Sequence, residues 1–230
     1  MSTTRADEQR LQDLARSSVP PLAIGTDETG VHLKLDNGLG FYHSFVTGPM
    51  KKRAVQPGQL LLKACNSRAR DIHSILDLTA GWGVDAFTLA NQGRQVCMIE
   101  QNPLVHAVLD WSLQALRAGS DWRDQRGDLQ LRQASAIDYL QASDTRYDCI
   151  YLDPMFPAHK SGAKPGKEMQ ILQALTVNDR IEACFELALQ RANKRVVVKR
   201  SAKAAALTAL KPDLTHQSKT IRFDVYLRHS

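Results

Sequence analysis

The chain has 230 residues, enough to bury a full hydrophobic core, most simply as one large domain with an N-terminal extension. Its composition, 43% hydrophobic and 23% charged, is ordinary for a soluble globular protein, and no apolar run reaches the roughly 18 residues of a membrane-spanning helix. The polar N-terminus predicts no secretory signal, and four widely spaced cysteines predict buried thiols rather than disulfides or a metal site. We therefore expect a cytoplasmic protein without a metal.

The net charge of +6 is unevenly distributed along the chain. Residues 1–70 carry +4 and residues 190–230 carry +8, whereas residues 71–189 carry −6. This asymmetry favours a polyanionic partner that the terminal regions contact. Solvated surface lysine and arginine side chains explain the excess equally well at this stage.

Residues 1–70 predict a small strand-rich extension. A short helical pattern surrounds Leu11 and Leu14, and Val31–Leu35 alternates apolar and polar residues as a half-buried strand does. An Asp-Asn-Gly turn signal at 36–38 then predicts a returning strand over Gly40–Phe45. A Gly-Pro break at 48–49 indicates a basic loop at 51–53, followed by a helix from 59 to 66.

From residue 71 onward, strand and helix patterns alternate, which predicts a parallel, doubly wound α/β sheet for a second unit, residues 71–230. The predicted strands are 74–78, 95–100, 129–133, 147–152, 195–199 and 221–227, and the predicted helices are 84–92, 103–118, 136–141 and 179–192.

The first chemistry-bearing segment is Ile75-Leu-Asp-Leu-Thr-Ala-Gly-Trp-Gly-Val-Asp-Ala86, a strand that breaks into a glycine turn and then a helix. In an open α/β sheet, ligands bind beyond the carboxyl ends of the strands, and glycine lets the backbone approach them closely. Asp77 ends this strand and Glu100 ends the next, where a carboxylate can accept hydrogen bonds from ribose hydroxyls. The pattern predicts a nucleoside cofactor.

A nicotinamide oxidoreductase is the first alternative for this turn. Against it, the third glycine of the dinucleotide motif is replaced by Ala86, a residue that some such sites tolerate. The second chemistry-bearing segment also has no role in hydride transfer.

That second segment is Tyr151-Leu-Asp-Pro-Met-Phe-Pro157, a strand that ends in an acidic, proline-flanked, aromatic loop. The prolines remove backbone donors, so the loop is rich in acceptors. Asp153 and the carbonyl of Pro154 can accept the hydrogens of an exocyclic amine, and Phe156 can stack on a base. The alternative is structural: Phe156 covers the core and Asp153 caps a helix.

Five strings, in order, resemble the bacterial 16S rRNA guanine-N2 methyltransferases of the RsmJ family, and the likeness extends from about residue 20 to the C-terminus. The resemblance implies a class I, Rossmann-like methyltransferase that moves a methyl group from S-adenosylmethionine to one guanosine of 16S rRNA, as naked rRNA or in the 30S subunit. The strings are Asp77–Asp85, Tyr151–Pro157, Lys167–Met169, Arg195–Arg200 and Arg222–Tyr226.

By position, the resemblance implies cofactor contacts at Val84-Asp85, Glu100-Gln101, Ser135-Ala136 and Asp153. The family's usual arginines are Val84 and Gln101 here, and one of two adjacent serines is Ala136, which leaves those side-chain roles open. The predicted catalytic residues are Asp153, Pro154 and Phe156. The full predicted cofactor-binding set is Asp77, Ala80, Gly81, Gly83, Val84, Asp85, Glu100, Gln101, Ser135, Ala136 and Asp153.

Basic residues near the predicted site are interpreted as RNA contacts, although a mobile solvated loop explains the stretch from 159 to 167 equally well. Two other functions stay open: methylation of another amino-bearing base such as adenine, and a non-catalytic RNA-binding module. The predicted RNA-binding residues are Lys51, Lys52, Arg53, Lys160, Lys167, Lys199 and Arg200.

Overall fold

The computed structural model describes residues 4–55, 59–65, 72–119, 122, 127–155, 166–176 and 180–228. Within these residues the chain forms a three-stranded sheet followed by a seven-stranded sheet. We call the described residues up to Cys65 the N-terminal region. Phe156 and Lys160, two of the predicted site residues, lie outside the described residues.

Helix α1 (Arg5–Ser17) is longer than the short helix that the sequence indicates. It begins at a reciprocal cap, in which the Thr4 hydroxyl accepts from the Asp7 backbone N–H and the Asp7 carboxylate accepts from that of Thr4. Leu11 and Ala15 bury one face of the helix. Capping therefore fixes where the helix starts, and packing of this face stabilises it.

The first sheet is an antiparallel meander of β1 (Leu22–Thr26), β2 (Val31–Leu35) and β3 (Gly40–His43). Burial alternates along β2, as the sequence pattern predicts, and β2 pairs with β3 in a register that sets Val31 opposite His43. The predicted hairpin is confirmed. Strand β1 was not predicted.

The predicted basic loop at residues 51–53 is wrong, because these residues lie in helix α2 (Gly48–Val55). Pro49 starts this helix rather than preventing it, since the first turn leaves its backbone N–H groups without intrahelical partners. Helix α3 (Gln59–Cys65) follows close to its predicted bounds.

The second sheet has the order β6-β5-β4-β7-β8-β10-β9. Neighbouring strands from β6 to β8 pair in parallel, and β10 runs antiparallel to both β8 and β9. The strand order reverses between β4 and β7, which opens a crevice at their carboxyl ends. The strands are β4 (Ser74–Asp77), β5 (Gln95–Glu100), β6 (Asp128–Gln133), β7 (Tyr147–Leu152), β8 (Ala192–Ser201), β9 (Leu214–Gln217) and β10 (Ile221–Leu227).

Helices cover both faces of this sheet, and the predicted doubly wound α/β fold is confirmed. Neither the fourth of these helices, α7, nor the edge strand β9 was predicted. The helices are α4 (Val84–Asn91), α5 (Pro103–Ala118), α6 (Ala136–Ala142), α7 (Lys167–Leu175) and α8 (Ile181–Arg191).

Successive residues of the central strands point into two hydrophobic clusters, one on each face of the sheet. Along β4, Ile75 joins the cluster that also holds Leu33 and Phe45, whereas Leu76 joins the cluster on the other face. The N-terminal region therefore shares one core with the large sheet. All four cysteines are buried free thiols, as predicted, and none of the described helices has the length and apolarity to cross a membrane.

Candidate active site

A cavity of about 320 Å³ lies at the carboxyl ends of β4, β5 and β7, in the crevice where the strand order reverses. We call it the strand-tip cavity. Its size suits a small-molecule ligand. It brings together ten of the predicted cofactor-binding residues, which are Asp77, Ala80, Gly81, Val84, Asp85, Glu100, Gln101, Ser135, Ala136 and Asp153.

The glycine turn between β4 and α4 forms one wall of this cavity. Gly81 and Gly83 both have a positive φ, 50° and 67°. Gly83 does not line the cavity; a Cβ there would lie 2.9 Å from Leu109 Cδ2 and 3.0 Å from Phe45 Cζ. Gly83 therefore lies on the core side of the turn, where the absence of a side chain lets α4 begin in close contact with the core.

Glu100, at the tip of β5, is 5% exposed and fastens the glycine turn. Its Oε2 accepts from the Gly81 backbone N–H at 3.0 Å, and its Oε1 accepts from that of Asn102 at 2.8 Å. Burial raises the pKa of Glu100 to about 7, although these two hydrogen bonds oppose the shift. The Gln101 backbone N–H also donates to this carboxylate, and the ionised group keeps one further acceptor position for a ribose hydroxyl.

Asp77, at the tip of β4, is 2% exposed, and its Oδ1 accepts from the Thr79 backbone N–H at 3.0 Å. Burial raises its pKa to about 8, and the nearby carboxylates of Asp85 and Asp153 add to the shift. Near neutral pH this carboxyl is therefore largely protonated, so it offers a donor as well as an acceptor to the cavity.

Lys199 contacts two carboxylates, one in the first turn of α4 and one just after the end of β7. Its Nζ lies 2.8 Å from Asp85 Oδ2 and 2.7 Å from Asp153 Oδ2, and the Tyr151 hydroxyl donates to Asp85 at 2.6 Å. Burial raises the pKa of Asp153, against the attraction of Lys199, whereas the same ammonium holds the pKa of Asp85 below its usual value despite burial. The structure thus places Lys199 inside the site, where it orients Asp153, rather than on a surface open to RNA.

The two predicted segments meet at neighbouring strand tips. The Asp153 backbone N–H donates to Thr79 Oγ1 at 2.6 Å, and the Leu78 backbone N–H donates to the Tyr151 carbonyl at 3.0 Å. Asp153 and the glycine turn consequently border the same cavity. A donor molecule and an acceptor base bound there would lie side by side.

Another part of the cavity lining, near the start of α6, is mostly apolar. Ser135 caps α6, with its hydroxyl accepting from the Asp138 backbone N–H at 3.1 Å, which places Ala136 and Ile137 in the first turn at the cavity wall. Ile99 lines the same wall. An apolar wall that lines the same cavity as the carboxylate that can hold a ribose fits an adenine ring.

Helix α7 supplies a wall that sequence reasoning missed. Glu168, Met169 and Leu172 line the cavity, and the Trp82 indole N–H donates to the Glu168 carbonyl at 2.8 Å. The basic residues of this stretch predict RNA contact from the sequence. The spacing of Met169 and Leu172 on one helical face was the available signal.

The predicted RNA-binding residues are dispersed. Arg53 lines the cavity, Lys52 is exposed on α2, and Lys167 is exposed at the start of α7. Arg200 is only 6% exposed, and its guanidinium donates to the Ala205 carbonyl, so the structure does not place it at a surface open to RNA. Pro154, predicted as catalytic, is buried and is not among the residues that line the cavity.

A family model described as a putative SAM-dependent methyltransferase matches residues 10–228. A solved structure of a SAM-dependent methyltransferase from Neisseria gonorrhoeae superimposes with a TM-score of 0.68 at 28% identity, over 98% of this chain and 93% of that one. The fold and the strand-tip cavity thus define a methyltransferase whose cofactor is S-adenosylmethionine.

Curated relatives narrow this class. Proteins named ribosomal RNA small subunit methyltransferase J from Aeromonas salmonicida and Nitrosococcus oceani are 40% and 38% identical, over 81% and 91% of this chain and 77% and 88% of theirs. The relative of that name from Coxiella burnetii is 37% identical over 81% of this chain and 74% of its own. The chain belongs to the family of ribosomal RNA small subunit methyltransferase J, which confirms the family that the sequence resembles.

Proposed function

We propose that the chain methylates the exocyclic N2 of a guanosine in small-subunit rRNA. The curated relatives at 37–40% identity are named for methylation of that RNA. The observation that carries the proposal is the shared cavity: the Asp153 backbone lies within hydrogen-bond distance of Thr79, so the acidic loop and the glycine turn face one space. A donor and a base held there meet without further movement of the sheet.

In this proposal, different predicted cofactor-binding residues contact different parts of the donor. The carboxylate of Glu100 accepts from a ribose hydroxyl. The apolar wall at Ala136 and Ile137 contacts the adenine, and Asp77 and Asp85 face the methionine end. These assignments rest on the acceptor position that Glu100 retains, on the apolar character of the α6 wall, and on the positions of Asp77 at the tip of β4 and Asp85 in the first turn of α4.

Bound S-adenosylmethionine supplies a methyl group activated by its sulfonium. The amine of guanine is a weak nucleophile, so the chief task of the protein is to aim it, which can account for several powers of ten in rate. Asp153 would accept one amine hydrogen through its carboxylate and would take up the proton that the amine loses as the N–C bond forms, while the bond between the methyl carbon and sulfur breaks and leaves S-adenosylhomocysteine. Lys199, 2.7 Å away, fixes the direction in which that carboxylate points.

The basic N-terminal region completes the proposal on the RNA side. Lys51 and Lys52 lie on α2 next to Arg53, which borders the cavity, and Lys167 begins the helix on the other side. Phosphates that flank the target nucleotide are the partners we assign to these lysines. The proposed setting is the cytoplasm, where rRNA is assembled into subunits.

Nucleoside analysis of a methylation reaction tests the function. The purified protein is incubated with S-adenosylmethionine and either naked 16S rRNA or 30S subunits from a strain that lacks the activity, and the digested RNA is analysed by mass spectrometry. N2-methylguanosine is the expected product. Methylated adenosine would show that another base is the substrate, and RNA binding without any methylated product would favour a non-catalytic RNA-binding module.

Replacement of Asp153 by asparagine tests the role of the acidic loop. We expect Asp153→Asn to lower methyl transfer by about 100-fold, because proton acceptance and aiming are both impaired. Donor affinity, measured by calorimetry, should change much less. Asp144→Asn, at a fully exposed aspartate, is the matched control and should leave the rate unaltered. Full activity in Asp153→Asn would rule out this role.

A further inference from the structure

We propose that Arg53 of the N-terminal region binds the α-carboxylate of the methionine part of the donor, so that helix α2 completes the donor site. The inference rests on the proposed placing of S-adenosylmethionine in the strand-tip cavity. It adds a cofactor-binding residue that lies outside the strand-tip segments.

The charges around the cavity require such a group. The methionine end of the donor carries a carboxylate as well as an ammonium. Among the described residues that line the cavity, five are acidic and two, Arg53 and Lys199, are lysine or arginine. Lys199 is engaged by two carboxylates, at 2.7 and 2.8 Å. The acidic lining residues are Asp77, Asp85, Glu100, Asp153 and Glu168.

Asp77 is largely protonated near neutral pH, but the ionised carboxylates among these residues would repel an entering carboxylate unless a cation other than Lys199 faces it. A guanidinium matches the geometry of a carboxylate, because two parallel N–H donors can bind its two oxygens. Arg53 is the lining residue with this geometry and with a weakly held partner.

That partner is Glu168 on helix α7. Arg53 Nη2 lies 3.4 Å from Glu168 Oε1, and the two side chains are 55% and 34% exposed. An ion pair this long and this open to water contributes little, so a ligand carboxylate can replace Glu168 at small cost. Arg53 is also close enough to Asp85 to help lower the pKa of that carboxyl, although burial and Lys199 have larger effects.

Helix α2 holds Arg53 in place against the methyltransferase fold. Met50 and Ala54 are buried on the face of α2 that packs toward the core, and the Asn91 side chain of α4 donates to the Ala54 carbonyl at 3.1 Å. The backbone of α2 is thus fixed to α4, the helix that begins at the glycine turn. The guanidinium alone needs to reorient when the donor binds.

Ligand truncation tests this role without reference to catalysis. S-adenosylhomocysteine retains the carboxylate, whereas 5′-methylthioadenosine lacks the whole amino-acid end, and calorimetry measures the affinity of each. We expect Arg53→Gln to weaken S-adenosylhomocysteine by about 10-fold or more, the size of one charge-assisted hydrogen-bonded pair. Its affinity for methylthioadenosine should stay within about twofold of the wild type.

Two further variants sharpen the result. Lys52→Gln removes the adjacent exposed cation of the same helix and should alter neither affinity. Glu168→Gln removes the acid that competes for Arg53, so it should tighten S-adenosylhomocysteine binding by about two- to fivefold and leave methylthioadenosine unaffected. Arg53→Lys should retain part of the affinity, because it keeps the charge but loses the bidentate geometry.

Three outcomes would overturn the inference. Equal losses for both ligands in Arg53→Gln would mean that Arg53 supports the cavity in general. No loss for either would mean that the carboxylate is held elsewhere. If the wild-type protein bound neither ligand at the strand-tip cavity, the placing of the donor would fail, and the role of Arg53 with it; methylthioadenosine binding that survives in all variants separates these cases.

Discussion

Glu100 makes donor binding sensitive to pH at the scale of a single residue. Burial raises the pKa of its carboxyl to about 7 in the free protein. A ribose hydroxyl that donates to it favours the ionised form and so lowers that pKa in the complex. Affinity for S-adenosylhomocysteine should therefore rise from about pH 6 to about pH 8 and then level off, with release of a proton on binding.

Calorimetry in buffers of different ionisation enthalpy measures both the affinity and the proton release. Glu100→Gln should remove most of the pH dependence and weaken binding by about 10-fold at the alkaline end. Asp77→Asn serves as the control, because it removes the other nearby acid that titrates in this range. Affinity that stays constant with pH in the wild type would argue against a ribose role for Glu100.

Asp77 couples pH to the stability of the fold. Its pKa is raised by burial to about 8 in the folded protein, from an ordinary value of 3.8. The folded state therefore binds more protons than the unfolded state between these values, and the stability that this group contributes is lost as pH rises through about 8. An amide carries no such penalty and can still accept from the Thr79 N–H through its oxygen.

We therefore expect Asp77→Asn to increase the free energy of unfolding relative to wild type by about 1–3 kcal/mol at or above pH 8, and by much less near pH 5. Urea denaturation across this pH range measures the difference. A gain that is the same at both ends of the range, or a loss at high pH, would contradict the buried, largely protonated state of Asp77. Diminished donor affinity in the same variant would be compatible with the prediction.

Among the helices and strands, strong local sequence patterns were sufficient to predict where an element begins and ends. Strands β5, β7 and β10 and helix α5 have the bounds that the sequence predicts, because continuous apolar runs and a proline at the first helical position are local signals. Strand β9 has mostly exposed residues, so no apolar pattern marks it, and its strand structure comes from pairing with β10. Local sequence patterns do not predict this kind of pairing between strands.

The residues of the active site were likewise predictable where local sequence sets their position, and not where tertiary packing does. Residues at the tips of parallel strands were predictable, because those tips converge on one edge of the sheet. The partners of Lys199 were not, since Asp153 and Asp85 are 46 and 114 residues away along the chain. Arg53 enters the cavity from a helix that the sequence pattern presents as a loop. Tertiary packing of α2 decides its place.

Replacing Gly83 tests how far the stability of the fold depends on glycine in this turn. A Cβ at this position would lie within 3.1 Å of Leu109, Phe45 and Met98, and its φ of 67° is strained for other residues. Gly38 has a φ of 81° but nothing within 4 Å of a Cβ. Gly38→Ala should therefore lower the free energy of unfolding by about 1 kcal/mol, from the backbone alone, and Gly83→Ala by about 2–4 kcal/mol.

Urea denaturation of the two glycine variants separates backbone strain from overpacking. Equal losses would mean that the core below the turn accommodates the extra methyl group. Because Gly83 does not line the cavity, the folded fraction of Gly83→Ala should bind the donor with nearly wild-type affinity.

At the scale of the whole molecule, the N-terminal region and the methyltransferase fold share their packing. Residues of the first sheet and of the large sheet belong to one hydrophobic cluster, and the rings of Phe41 and Trp82 lie 4.8 Å apart. The Trp111 indole of α5 donates to the Asp27 carbonyl at 3.1 Å. Contacts of this kind at the glycine turn itself make separate unfolding of the two parts costly, and they position α2 at the cavity.

His43 is a fully buried polar link between the two parts. Its ring nitrogens lie 2.7 Å from Ser112 Oγ and 2.9 Å from the Trp82 carbonyl. Because a carbonyl only accepts, Nε2 carries the proton and Nδ1 accepts from the Ser112 hydroxyl. Burial lowers the pKa of His43 to about 4, so the ring is neutral at physiological pH.

Replacement of His43 should therefore destabilise the whole chain. His43→Ala leaves the Ser112 hydroxyl and the Trp82 carbonyl without this partner and opens a cavity, which should cost about 2–4 kcal/mol at pH 7. The cost should shrink below about pH 6, since the folded state disfavours the charged form that the unfolded state adopts there. His32→Ala is the control on the paired strand: that side chain is 62% exposed, and its loss should change the free energy of unfolding little.

Far-ultraviolet circular dichroism and tryptophan fluorescence should follow a single shared unfolding transition in both variants. Two separate transitions in His43→Ala would show that the N-terminal region and the methyltransferase fold are independent folding units.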